Sequence, residues 1–145
     1  MPSPPEQNPY APYRAFLLKL ARAAMTQAVE FDEPAAIPEQ LPDPCLREHR
    51  ATFVTLERQH HLRGCIGRIE AVQPLVDDIA EQAAAAALHD PRFSPVQPFE
   101  LPEIVLSISI LSPPEDFPVK DEQELLRKLT PGHDGLILQE GRRRV

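Results

Sequence analysis

The chain has 145 residues, 42% hydrophobic and 26% charged, with 15 Lys+Arg against 22 Asp+Glu and a formal net charge of −7. That is the length of one domain with apolar residues enough for a core, and the charge disfavours general binding to nucleic acid or to an anionic membrane. Two cysteines, Cys45 and Cys65, with no Cys-x-x-Cys pair, exclude a disulfide framework and the common zinc motifs. No window approaches the length of a membrane span, and Met1 to Gln7 lack the apolar core of a signal peptide, so a soluble, cytoplasmic protein with reduced thiols is expected.

The 18 prolines cluster and punctuate the chain. Pro2, Pro4, Pro5, Pro9 and Pro12 predict a mobile N-terminal arm over residues 1–12, followed by one domain over 13–145. Phe16, Leu17, Leu20, Ala24 and Ala28 recur at helical spacing and predict a helix from Tyr13 to Glu30, with Lys19, Arg22 and Gln27 facing water. Pro34, Pro38, Pro42 and Pro44 define an irregular loop that carries Cys45 as an incidental thiol.

Ala51 to Leu56 and Leu62 to Ile69 read as strands, and the short polar link between them implies an antiparallel hairpin. Pro74 opens a second helix reaching Leu88, with the small-sided run Ala83 to Ala87 fitted to lie close against a sheet. Asp90-Pro91-Arg92-Phe93 ends that helix, and Pro91, Pro95, Pro98 and Pro102 predict an extended segment after it. Ile104 to Leu111 alternates Leu106, Ile108 and Ile110 on one face with Ser107 and Ser109 on the other. A short helix over Asp121 to Leu129 and a strand from Gly135 to Gln139 follow, and Arg142-Arg143-Arg144 reads as a solvated strand or tail. The fold expected is α+β: a single domain with a mixed or antiparallel sheet, its hairpin packed by helices.

Leu62-Arg63-Gly64-Cys65-Ile66-Gly67 carries the candidate chemistry. Two of the chain's five glycines bracket a thiol, which suggests a shaped site, although glycines that merely allow tight packing around a small buried cysteine fit the same pattern. Strand alternation places Arg63 on the face of Cys65, where a guanidinium lowers a thiol pKa or holds an anion. His61 shares that parity and is the candidate base; His60, His89 and His133 are further candidates. Asp90 and Arg92 either ring the thiol as an acid and an anion clamp or serve structurally, Asp90 capping the helix exit turn and Arg92 pairing with Asp90 or Glu100. No metal is expected, since Cys65 with His60 or His61 on a tight hairpin rarely completes a tetrahedral site. No cofactor is expected either, because phosphate-binding loops, cysteine clusters for iron–sulfur and paired carboxylates are missing from the sequence.

These motifs resemble the AMMECR domain family, also called the AmmeMemoRadiSam system protein A family. The resemblance is carried by Phe53-Val54-Thr55-Leu56, Leu62 to Gly67, Asp90-Pro91-Arg92-Phe93, Glu100-Leu101, the serine-alternating strand Ile104 to Leu111, Gly135 to Leu138 and the early pattern Leu18 to Arg22. They occur in the family's order over about residues 15–145, which is far more specific than a lone motif. The resemblance implies association with a radical S-adenosylmethionine protein and a Memo-like protein, and names no reaction. Family members continue beyond the segment matched by Arg142 to Val145, so a C-terminally shortened domain with an exposed apolar face or unpaired edge is expected.

Two functions follow from this reading. One is an enzyme or enzyme-accessory subunit centred on Cys65, with Arg63 and His61 as helpers and Gly64, Gly67, Asp90 and Arg92 shaping the binding site. The other is a non-catalytic protein-interaction module in which Cys65 packs. RNA binding through the arginines is disfavoured by the net charge and by the lack of interleaved aromatics.

Overall fold

Helix α1 spans Arg14–Phe31 and buries Leu17, Leu20, Ala21, Ala24, Met25 and Ala28, the face that its apolar spacing predicts. Asp32 closes it in the left-handed conformation at φ 53°, its N–H bonding the carbonyl of Ala28 at 3.0 Å. The computed structural model describes residues 8–113, 116, 118–128, 139–140 and 143–144. Ordered packing already begins at Tyr10, inside the arm expected to be mobile: its ring enters the core, and its hydroxyl donates to Glu48 at 3.4 Å. The prolines there instead shape a single 3-10 turn over Ala11–Tyr13.

Strands β1 (Ala51–Arg58) and β2 (His61–Gly67) form the expected hairpin. Its two-residue turn places Gln59 at φ 52° and His60 at φ 64°, the mirror-image turn whose twist matches the strands. Helix α2 follows over Leu75–Leu88, and strand β3 over Ile104–Leu111. The sheet order is β2-β1-β3, antiparallel throughout. This is an α+β fold in which α2 covers β1 and β2, while α1 packs on α2 and reaches β3.

The two sheet faces differ sharply. Thr52, Val54 and Leu56 of β1 point toward the helices and are fully buried. Phe53, Thr55 and Glu57 point the other way and are half-buried or exposed. On the helix side Thr52 donates its hydroxyl to Asp78 at 2.6 Å and its N–H at 2.9 Å, and Arg68 pairs with the same carboxylate at 2.9 Å. The buried aspartate is thereby satisfied and ties α2 to β1.

The segment expected to be extended after Phe93 instead forms a 3-10 turn over Pro98–Glu103. Pro98 supplies the helical φ at its first position, and the carboxylate of Glu100 accepts the N–H of Gln97 at 2.6 Å. A run of prolines is compatible with either conformation; the buried Glu100 and Leu101 decide for the turn.

Met1–Pro113 and Pro114–Val145 form separate compact units. In the second, α3 spans Glu122–Lys128 with Glu124 and Lys128 paired at 2.9 Å, and β4 (Gln139–Glu140) pairs with β5 (Arg143–Arg144). Of the strand expected over Gly135 to Gln139, all but Gln139 lies outside the described residues. No described helix is long and apolar enough to cross a membrane.

Candidate functional site around Cys65

The hairpin register is not uniform. Phe53 faces Gly67, Val54 faces Ile66, Thr55 faces Cys65 and Leu56 faces Gly64, but Glu57 then faces Leu62 and Arg58 faces His61. Arg63 is the extra residue of a β-bulge, with no partner across the ladder. The bulge breaks the alternation on which the sequence reading relied. Leu62 and Cys65 lie on the outer face, whereas His61, opposite Arg58, lies on the other. His61 is exposed at the hairpin tip, and strand rise puts it about 13 Å from Cys65, beyond the reach of a base.

Arg63 does not flank the thiol either. Its Nε and Nη2 grip the two oxygens of Glu100 at 2.9 and 3.1 Å, and Nη1 donates to the carbonyl of Ser94 at 2.9 Å. Arg58 adds a third contact to Glu100 at 3.1 Å. The Glu100 side chain is only 5% exposed, and Arg63 beside it, helped by the Gln97 N–H and then by Arg58, holds its carboxyl below the usual range against the opposing effect of burial. This ion pair fastens the 94–103 segment to β2.

The groups around Cys65 are Thr55, Asp90 and Arg92. The Thr55 hydroxyl lies 3.2 Å from Sγ. Asp90 accepts the Cys65 N–H at 2.9 Å, and Arg92 donates to the Cys65 carbonyl at 3.3 Å. Both outward-pointing backbone groups of Cys65 are thus bound by side chains, where an edge strand would otherwise offer them to another chain. Asp90 and Arg92 also clasp each other, Nη2 to Oδ2 at 2.8 Å and Nε to Oδ1 at 3.1 Å, while the Arg92 N–H bonds Oδ1 at 3.0 Å. Arg92, with the two N–H donors, keeps the Asp90 carboxyl well below the usual range against the opposing effect of burial. The Arg92 side chain remains 56% exposed, and its guanidinium sits 5.5 Å from the Phe93 ring centre.

Both glycines of the motif are close-approach positions. A Cβ at Gly64 would overlap the carbonyl oxygen of Ala86, so its absence lets α2 lie on β2. A Cβ at Gly67 would strike the Phe53 ring, which covers that position on the outer face. Neither glycine opens a cavity at the thiol.

The outer face therefore carries three cross-strand rows. Leu62, Glu57 and Val105 form the first; Cys65, Thr55 and Ser107 the second; Gly67, Phe53 and Ser109 the third. Leu62 is 42% and Val105 62% exposed. Sequence reasoning missed Thr55 beside the thiol, and it offered Glu100 only as a partner for Arg92, whereas Glu100 binds Arg63. His89 ends α2 and lines a different surface, and His133 lies outside the described residues. The second thiol, Cys45, is pushed up to about 11 by burial and by Asp43.

Residues 18–145 match the AMMECR1 family model. A protein of Methanothermobacter thermautotrophicus is 42% identical over 125 residues, covering 86% of this chain and 65% of the relative. A protein of Methanopyrus kandleri is 40% identical over 131 residues, covering 88% of this chain and 62% of the relative. The crystal structure of the uncharacterised protein PH0010 from Pyrococcus horikoshii superposes with a TM-score of 0.82 at 36% identity, over 89% of this chain and 65% of that one. The chain spans a little under two thirds of the length of these relatives. It belongs to the AMMECR1 family.

Proposed function

We propose that this domain is a partner-docking, enzyme-accessory module that presents Cys65 in the middle row of its outer sheet face, on the edge strand β2. One observation carries this reading: the charged residues of the signature motifs are engaged within the fold. Arg63 is bound to Glu100, and Asp90 is bound to Arg92 and to the Cys65 N–H. What remains for a partner is a thiol, the hydroxyls of Thr55, Ser107 and Ser109, the exposed Leu62 and Val105, and the carboxylate of Glu57 between them. A mixed apolar and hydroxyl surface with few free charges suits a protein contact.

The partners implied by the family resemblance, a radical S-adenosylmethionine protein and a Memo-like protein, are the ones to present to it. Thr55→Arg and Ser107→Arg, each in the middle row, should weaken such a complex at least tenfold while leaving the far-ultraviolet spectrum unchanged. Affinity unaltered by both would overturn the docking surface.

Thiol chemistry at Cys65 is a second reading, favoured by the Thr55 hydroxyl at 3.2 Å and by the neighbouring Arg92 guanidinium. Its test is the pH dependence of alkylation in a Cys45→Ala background. Titration well below the free-thiol value of about 8.5, moved upward by Arg92→Gln, would support a nucleophile. Labelling only on unfolding would remove it.

A further inference from the structure

A groove of about 470 Å³ lies on the helical side of the molecule, between the end of α1, the loop at residues 33–37 and one stripe of α2. Asp77, Ala80, Glu81, Ala84, Ala85 and Leu88 line it at helical spacing. The stripe is about 16 Å long, or three helical turns. Its alanines leave room for another backbone to approach, and Ile37 with Ala28 supplies an apolar wall.

The rim is acidic. Glu33 accepts from Gln27 at 3.1 Å and Glu81 pairs with Arg68 at 2.7 Å, but the carboxylates of Asp32 and Asp77 have no ion-pair partner among the described residues. An independent feature points the same way. A helix C-terminus carries partial negative charge and favours cations. The last turn of α1 holds no basic residue, and the chain there reads Glu30-Phe31-Asp32-Glu33. Acids are thus gathered where the helix dipole disfavours them, and Phe31 between them is 61% exposed. Such a local conflict belongs to binding sites more often than to scaffolds.

We propose that this groove receives a basic amphipathic helix of about three turns from a partner protein. Its apolar side lies on Ala84, Ala85 and Leu88, and its lysines or arginines meet Asp32, Asp77 and the end of α1. This is helix-in-groove recognition with charge complementarity setting the choice of partner. The surface is distinct from the outer sheet face and does not depend on the reading given to that face.

The probe is a fluorescein-labelled 14-residue peptide with leucines at helical spacing and lysines elsewhere, titrated against the full chain by anisotropy. A second peptide carries glutamates in place of the lysines. The lysine peptide should bind saturably one to one, and the glutamate peptide should not bind. Asp32→Asn combined with Asp77→Asn should weaken binding at least tenfold, and Ala84→Leu should do so too. Ala84→Leu fills the groove without altering net charge, so it separates a shaped site from general attraction to an acidic protein. Undiminished binding by either variant, with its thermal melt intact, overturns the proposal. Asparagine tolerates the left-handed conformation at position 32, so the double variant remains informative if Ala84→Leu fails to fold. Thr55→Arg, on the other face, should leave this binding unchanged.

Discussion

Both long helices end near an aspartate, and the two aspartates behave in opposite ways. Asp90, two residues beyond α2, is buried, clasped by Arg92 and bonded to the Cys65 N–H. Asp32, at the end of α1, is exposed and has no ion-pair partner among the described residues. Each sits just beyond the last turn of its helix. The difference lies in what the following chain does. After α2 it returns along the edge of β2, where a carboxylate can take a backbone N–H and an arginine a carbonyl. After α1 it leaves toward a proline-rich loop, and nothing basic accompanies it. A helix-end acid is scaffold in one place and open binding surface in the other.

The scaffold side of this comparison should be the easier to break. Glu100→Ala leaves Arg63 and Arg58 without their shared carboxylate in a poorly solvated place, and should cost about 3 kcal/mol in denaturant unfolding. Gly64→Ala drives a methyl group into the Ala86 carbonyl and should cost about 2 kcal/mol by forcing α2 off β2. A smaller loss at either site would mean that the 94–103 segment or the helix moves aside easily.

Acidification separates the two kinds of carboxylate next. Asp90 and Glu100 are both held below their ordinary values, chiefly by Arg92 and by Arg63. The native state therefore binds fewer protons than the unfolded one. The stability from these groups is complete above the unfolded carboxylate values near about 4 and is lost as pH falls through the folded ones. The melting temperature should hold steady from pH 7 to about 5 and then drop. Asp90→Asn should start lower at pH 7 and lose less on acidification. An acid limb identical to that of the unsubstituted protein would show that the clasp contributes nothing.

How much of this was legible in the sequence depended on whether a feature was periodic or local. The apolar stripes of α1 and α2, the hairpin and β3 follow from spacing alone, because burial of one face dictates them. The site did not follow, because one residue altered the register. Counting back from the two-residue turn pairs Cys65 with Val54, a core residue. The bulge at Arg63 shifts the ladder by one and puts Thr55 opposite instead. It also turns Arg63 away from the thiol, toward Glu100. A bulge inserts no telltale residue type, so simple alternation runs straight through it in the sequence. The pairing of Asp90 with Arg92 was among the alternatives that the sequence left open. Its grip on the Cys65 backbone was not legible, because it depends on how the chain returns after α2.

The hairpin turn offers a milder test. Gln59 and His60 both have positive φ, where side chains other than Asn, Asp or Gly are disfavoured. Gln59→Asn with His60→Gly should stabilise the hairpin by about 1 kcal/mol. Cys65 alkylation rates should stay unchanged, since His61 and the turn stand clear of the thiol. An altered rate would mean that the turn communicates with the outer face after all.

The smallest effect belongs to Asp32. If its carboxylate serves binding rather than folding, Asp32→Asn removes an acid from the negative end of α1 while keeping a side chain suited to φ 53°. Stability should then rise, by about 0.5 kcal/mol, in low salt, and the gain should shrink as salt screens the dipole. The same change at Asp90 should lower stability. Opposite signs for one substitution at two helix ends would show that the acid at α1 is held against the fold's own preference. Equal signs would show that Asp32, like Asp90, is held by the fold itself.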